Sequence, residues 1–246
     1  DGSGNLLTTE AGGSSTFTVV LNSQPTDTVT VSITGLDTTE NSLSSDTLTF
    51  TTANWDTAQT VTITGVDDTL LDGDITTTLT ATANNAGGYA GTETSTVTVK
   101  NTDDDTNGIS IAQTGTTDGS GNLLTTEAGS TTTFTVVLDA APTADVTVSI
   151  TGLDATENSL SGSTLSGTNT LTFNAGNWNT AQTVTVAGVD DSIVDGDITT
   201  TLTATANSAG GYSGESTTTT VKNTDDDSNG ISIAQTGTTD GSGNLL

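Results

Sequence analysis

The chain repeats itself. The string DGSGNLLTTEAG begins at Asp1 and again at Asp118, and DGSGNLL returns at Asp240. Phe17, Pro25, Phe50, Trp55, Tyr89 and Lys100 in the first copy answer to Phe134, Pro142, Phe173, Trp178, Tyr212 and Lys222 in the second. A period of about 120 residues is too long for a solenoid repeat and right for a whole domain. The copies differ mostly by one Ser/Gly-rich insertion near Gly162–Gly167, which reads as a surface loop. The natural joint is an acidic run before Asn-Gly: Asp103–Gly108, and again Asp225–Gly230. That phasing predicts a unit over 1–105 lacking its first strand, a complete unit over 106–227, and the opening strand of a third over 228–246.

Within each copy the apolar residues recur with period two. Ile109 and Ile111 flank Ser110; Phe134, Val136 and Leu138 share a face, as do Val146, Val148 and Ile150. Leu171 and Phe173 follow, then Val184 and Val186, then Ile198 to Ala204, then Thr219–Val221. Threonine, roughly a quarter of all residues, fills most outward positions and favours strands. Only two prolines interrupt the pattern. About seven short strands per unit, with Gly, Asn and Asp turns between them, predict all-β, immunoglobulin-like Greek-key sandwiches in tandem. Trp55 and Trp178 read as packing against a sheet edge.

Thirty acidic side chains against two basic ones and no histidine give a net charge of −28. That excludes nucleic-acid binding through clustered Lys and Arg and disfavours anionic membranes. The sequence has no apolar run long enough for a membrane span. Without cysteine or histidine there is no disulfide, no thiolate or imidazole metal site and no ordinary general base. A carboxylate pair is the residue of a glycosidase reading, but no aromatic-lined pocket is visible for a sugar. Serines lack a histidine to activate them. The chain therefore reads as a non-enzyme.

The acids are bunched. The complete copy carries Glu127, Glu157, the cluster Asp190-Asp191-Ser192-Ile193-Val194-Asp195-Gly196-Asp197, and Asp225–Asp227. The first copy carries Glu10, Glu40, Asp67-Asp68-Thr69-Leu70-Leu71-Asp72-Gly73-Asp74, and Asp103–Asp105. Most lie at strand ends, which meet at the poles of a sandwich. About eight converging carboxylates repel one another, with almost no Lys or Arg to pair them. Calcium, with six to eight oxygen ligands and tolerance of irregular geometry, is the fitting counter-ion, roughly two to four per joint. Magnesium demands stricter octahedra and ranks second. The plain alternative is that acidic loops keep the protein soluble. The Asp118–Asn122 segment, and likewise Asp1–Asn5, starts like an EF-hand loop but lacks its glycine and final glutamate, so it reads as a turn.

The succession TEAGGSSTFTVVL, ENSLSSDTLTF, TVTITGVDDTLLDGDITTTLT and STVTVKNTDDD resembles the Calx-beta domain over nearly all of each copy. The DD-x-x-x-D-G-D cluster and the terminal DDD carry the likeness. The resemblance implies a calcium cluster at one pole of an immunoglobulin-like sandwich. In the first copy its ligands would be Glu10, Glu40, Asp67, Asp68, the carbonyl of Leu70, Asp72, Asp103, Asp104 and Asp105. In the second they would be Glu127, Glu157, Asp190, Asp191, the carbonyl of Ile193, Asp195, Asp225, Asp226 and Asp227.

These readings predict a calcium-stiffened segment of an extracellular fibre, adhesin stalk or surface filament, whose partners are neighbouring copies of the same repeat, end to end. Millimolar external calcium suits extracellular modules. A ligand-binding adhesin module and a glycosylated stalk are competing readings; the strand alternation opposes the stalk. The tail Ile231–Gln235 repeats Ile109–Gln113. The segment is either a slice of a longer polymer or a fibre subunit that donates this strand to the next molecule.

Overall fold

The computed structural model describes residues 1–244, and among them every regular element is a β-strand. In the first half these are β1 (Leu6–Thr9), β2 (Ser14–Val19), β3 (Val29–Thr34), β4 (Asn41–Leu43), β5 (Thr47–Phe50), β6 (Gln59–Gly65), β7 (Leu70–Leu71), β8 (Ile75–Ala83) and β9 (Thr94–Thr102). In the second half they are β10 (Ile109–Gln113), β11 (Leu123–Thr126), β12 (Thr131–Leu138), β13 (Ala141–Pro142), β14 (Val146–Thr151), β15 (Asn158–Ser161), β16 (Thr170–Phe173), β17 (Gln182–Gly188), β18 (Ile198–Ala206) and β19 (Ser216–Thr224).

The period-two pattern sets the layers. Along β12, Thr132, Phe134, Val136 and Leu138 are buried while the residues between them are at least partly exposed. The second half is a sandwich of a five-stranded sheet, β11-β19-β18-β14-β16, and a four-stranded sheet, β10-β12-β17-β15. Phe134, Val136, Val184 and Val186 of one sheet meet Val148, Leu171, Leu202 and Val221 of the other in a single core. Burying each such side chain contributes about 1.5–3 kcal/mol. The first half has its own core around Val31, Phe50, Val61, Ile63, Leu79 and Val99. Its sheets are β1-β9-β8-β3-β5 and the three-stranded β2-β6-β4. Nothing in it occupies the place that β10 holds beside β12, so one edge of β2 is free among the described residues. Trp55 and Trp178 pack against their respective cores, as expected of them.

Two features exceed the seven-strand reading. The short strands β11 and β15 add to each sheet, and β1 and β11 run parallel to β9 and β19. The chain thus pairs β10 with one sheet, turns at Asp118–Asn122, and lays β11 on the other. The insertion between β15 and β16 is a mostly exposed loop.

The two sandwiches meet through β7. Leu70 and Leu71 pair in parallel with Ala141 and Pro142 of β13. The Ala141 N–H donates to the Thr69 carbonyl at 2.7 Å. Leu71 packs against the core of the second sandwich. Asn107, in the connection, donates from Nδ2 to Glu215 Oε1 at 2.8 Å. At the far end Ile193 and Val194, the counterparts of Leu70 and Leu71, are exposed. Ile231–Gln235 joins no sheet, and Ile231 and Ile233 are 94% and 91% exposed.

Candidate metal centre

Each sandwich gathers its acids at one pole because the strands end there. In the first, Glu10 follows β1, Glu40 precedes β4, Asp67 and Asp68 follow β6, Asp72 follows β7, and Asp103–Asp105 follow β9. Backbone bonds lock the ends together. The Glu10 N–H donates to the Thr102 carbonyl at 3.1 Å, and the Val66 N–H to the Glu40 carbonyl at 2.9 Å. The Gly73 N–H donates to Asp103 Oδ2 at 2.7 Å, tying the acidic loop to the acidic run. Gly196 and Asp225 repeat that contact at 2.7 Å in the second sandwich.

The carboxylates converge. One oxygen each from Glu10, Glu40 and Asp72 lie within 4.8 Å of one another, and so do oxygens of Glu10, Asp103 and Asp105. In the second sandwich the groups are Glu127 with Asp225 and Asp227, Glu127 with Asp190 and Asp226, and Glu157 with Asp191 and Asp195. Two oxygens on one calcium ion, each about 2.4 Å away, stand no more than about 5 Å apart. Asp67, Asp68 and Asp104 stand outside the groupings, although their counterparts Asp190, Asp191 and Asp226 are inside them. The carbonyls of Leu70 and Ile193 each accept the N–H two residues on, from Asp72 at 2.8 Å and Asp195 at 3.0 Å.

The glutamates are deep. Glu10 is 1% exposed and Glu127 2%, values normally found only for acids with a partner. Here several oxygens have none: Glu10 Oε2, Asp72 Oδ1, Asp105 Oδ2 and Asp227 Oδ2 are buried without a hydrogen bond. Such an oxygen costs its full desolvation unless a proton or cation meets it. Burial, with the repulsion of Asp103, Asp68 and Glu40, pushes the Glu10 carboxyl up to about 7. Burial likewise holds Glu40, Asp72, Asp105, Glu127 and Asp227 above the usual carboxylate range. The two lysines are engaged elsewhere: Lys100 pairs with Asp74 at 2.5 Å and Lys222 with Asp197 at 2.6 Å. No side-chain cation is left for either cluster.

A polar network beneath the acids was not legible as part of the site. Asn158 Nδ2 donates to Thr125 Oγ1 at 3.0 Å, and Thr125 Oγ1 donates to Asn223 Oδ1 at 2.9 Å. Asn223 Nδ2 then donates to Glu157 Oε2 at 3.3 Å. Asn41, Thr8, Asn101 and Glu40 repeat the arrangement. The available signal is an asparagine at an inward position of β9 and of β19, two residues before the acidic run. Gly188 permits the close packing, since a Cβ there would collide with the Thr126 carbonyl and Asn223 Oδ1.

The Asp118–Asn122 segment is a self-contained turn. Asp118 Oδ1 accepts the N–H groups of Ser120 and Asn122, and Oδ2 accepts the Asn122 amide. The Asn122 side chain holds the Asp118 carboxyl below its usual range.

No protein-family model and no curated protein matches the chain. Solved structures do. A mutant of the CFA/I enterotoxigenic E. coli adhesin CfaE matches at 9% identity and TM-score 0.41, over 92% of this chain and 98% of that one. CBD12 from CALX1.2 matches at 16% identity and TM-score 0.32, over 85% and 81%. Domains 4 and 5 of the S-layer protein SbsC match at 15% identity and TM-score 0.31, over 79% and 70%.

Proposed function

We propose that both poles bind calcium and that the chain is a structural segment of an extracellular fibre, adhesin stalk or surface layer. The observation that carries this reading is the set of buried carboxylate oxygens without partners at an end of each sandwich, in a chain whose two lysines lie elsewhere. Oxygen-only donors with no sulfur or imidazole fit a hard cation. Glu10, Glu40, Asp72, Asp103 and Asp105 would hold it at the first pole, and Glu127, Glu157, Asp190, Asp191, Asp195 and Asp225–Asp227 at the second. The ion supplies positive charge where the chain has none.

The stiffening follows from the loop that the site and the joint share. Asp68 Oδ1 accepts the Leu70 N–H at 2.6 Å, and Asp72 closes the same loop. Between them Leu70 and Leu71 engage the second sandwich. Neutralising Asp72 relieves its repulsion with Asp68, which would otherwise spread the loop and withdraw β7 from β13. The bunching of charge at poles, with strand faces of Thr and Ser, suits a connector better than a catalyst.

Calorimetric titration with calcium, together with melting and small-angle scattering in calcium and in chelator, tests the reading. Expected are binding in the micromolar to millimolar range, a higher melting temperature, and a longer, narrower particle. A chain whose melting and scattering ignore calcium would sink it.

A further inference from the structure

The connection between the two sandwiches ends in Asn107-Gly108, and each of these residues is held for a different reason. A Cβ at position 108 would collide with Asp139 Oδ2, so only glycine fits. Asp139 fixes that stretch of chain. Its N–H donates to the Gly108 carbonyl at 3.0 Å, and its Oδ1 accepts from the Ser110 hydroxyl at 2.7 Å. The half-buried Asn107 is gripped by another element, the turn between β18 and β19. Its Nδ2 donates to Glu215 Oε1 at 2.8 Å and to the Gly211 carbonyl at 3.2 Å. Ser213 keeps the Glu215 carboxylate in place, donating from its N–H at 2.8 Å and from its hydroxyl at 2.7 Å. Leu71 of the first sandwich packs over the same Gly211. The joint thus demands, side by side, a short amide side chain and a following nitrogen that no Cβ shields. That pairing is the least durable junction in a polypeptide.

We infer that Asn107-Gly108 is a site of spontaneous deamidation, held in check by the grip of Gly211 and Glu215 on the Asn107 amide, and that its product unfastens the joint. The reaction needs only water. The Gly108 nitrogen attacks Asn107 Cγ, and the new C–N bond closes a five-membered imide. The Cγ–Nδ2 bond breaks, and ammonia leaves with the proton that the Gly108 nitrogen gives up. Water then opens the ring. Cleavage at Cγ leaves aspartate. Cleavage at the former main-chain carbonyl leaves isoaspartate, in which the main chain runs through the side-chain carbons and is one atom longer. Attack requires the amide to turn toward the Gly108 nitrogen, and the two bonds through Nδ2 oppose that rotation. Reaction therefore proceeds from molecules in which the β18–β19 turn has let go. The product does not fit the old seat. A carboxylate at position 107 meets the Glu215 carboxylate and the Gly211 carbonyl with no donor among them, and like charges at that range repel. The turn that carries Gly211 loses its anchor, and with it the surface on which Leu71 rests. The change runs one way, because opening speeds the reaction and the product favours opening.

Incubation of the full chain in mildly alkaline buffer, followed by peptide mapping, reads the reaction at Asn107 apart from Asn229-Gly230, the other such pair in the sequence. A free peptide of residues 104–112 sets the unrestrained rate. Asn107 in the folded chain should react about tenfold more slowly, since the opened turn is a minor population. Glu215→Ala removes one acceptor of the amide, and Leu71→Ser loosens the same turn from the neighbouring sandwich. Each should bring the rate several-fold nearer to that of the peptide. Asn107→Asp reproduces the aspartate product. It should lower the melting temperature by about 3 °C and broaden the scattering profile as Leu71→Ser does. A folded chain that reacts at the peptide's rate, variants that react no faster than their parent, or an Asn107→Asp protein with the melting and scattering of its parent would each overturn the inference.

Discussion

Leu71 of the first sandwich lies so close over Gly211 of the second that a Cβ on Gly211 would fall 2.7 Å from Leu71 Cδ2. Gly211 also has φ +90, a conformation L side chains rarely adopt. This one contact joins the loop between two acidic residues to the neighbouring core. Leu71→Ser should leave each sandwich folded but lower the second one's melting temperature by a few degrees and broaden the particle's scattering profile. About 1–2 kcal/mol of burial is lost at the joint. Gly211→Ala should produce the same uncoupling through collision and backbone strain.

The acid cluster gives the metal-free protein an inverted pH response. Glu10 moves from 4.5 up to about 7 on folding, and burial moves Glu40, Asp72, Asp105, Glu127 and Asp227 the same way. A carboxyl that holds its proton more tightly when folded adds stability below its unfolded pKa and loses it as pH rises through the folded one. In chelator, the melting temperature should therefore fall between about pH 4.5 and pH 7.5. Asp74 and Asp197, held low by their lysines, lose their contribution only at more acid pH. In calcium the trend should reverse, since ligands must shed their protons. A flat profile in both buffers would contradict this.

Glu127→Gln separates charge from shape. The amide keeps the volume and removes a buried negative charge beside Asp225 and Asp191. At pH 7.5 in chelator it should melt higher than the parent. In calcium it should melt lower and bind roughly tenfold more weakly, about 1.4 kcal/mol. Melting curves of the two proteins in the two buffers give the answer.

Asn223→Ala should behave differently. It takes from the Thr125 hydroxyl its Oδ1 acceptor and removes the amide that donates to Glu157 Oε2. Loss of a buried hydrogen-bonded group costs about 2 kcal/mol. The drop in melting temperature should appear in calcium and chelator alike, which distinguishes a floor of the site from a ligand.

Most of this architecture can be read from period-two alternation. Phe134, Val136 and Leu138, or Val146, Val148 and Ile150, announce their strands because core and solvent faces differ in residue type. β11 and β15 were hidden: Leu-Leu-Thr-Thr and Asn-Ser-Leu-Ser do not alternate, and their burial comes from neighbours distant in sequence. The convergence of acids followed from strand ends meeting at a pole. Which oxygens are stranded depends on loop geometry: Asp72 Oδ1 and Asp105 Oδ2 are buried without partners, whereas Asp74 meets a lysine. Asn101 and Asn223 give no sequence signal of their own, because asparagine near an acidic run resembles turn chemistry, yet both are buried within strands. The β7–β13 bridge was invisible, since two residues carry no period.

The parallel pairing of β11 with β19 decides how a sandwich resists being pulled. Leu123, Leu124, Thr125 and Thr126 stand beside Val221, Lys222, Asn223 and Thr224, running in the same direction. Tension applied across β11 and β19 draws these strands past each other lengthwise. The ladder between them is then loaded in shear, all rungs together, instead of being unzipped one rung at a time. Single-molecule stretching should accordingly show a high rupture force for this sandwich, and proline at Thr125, whose N–H lies on the β19 side as that of Glu127 does, should lower it sharply.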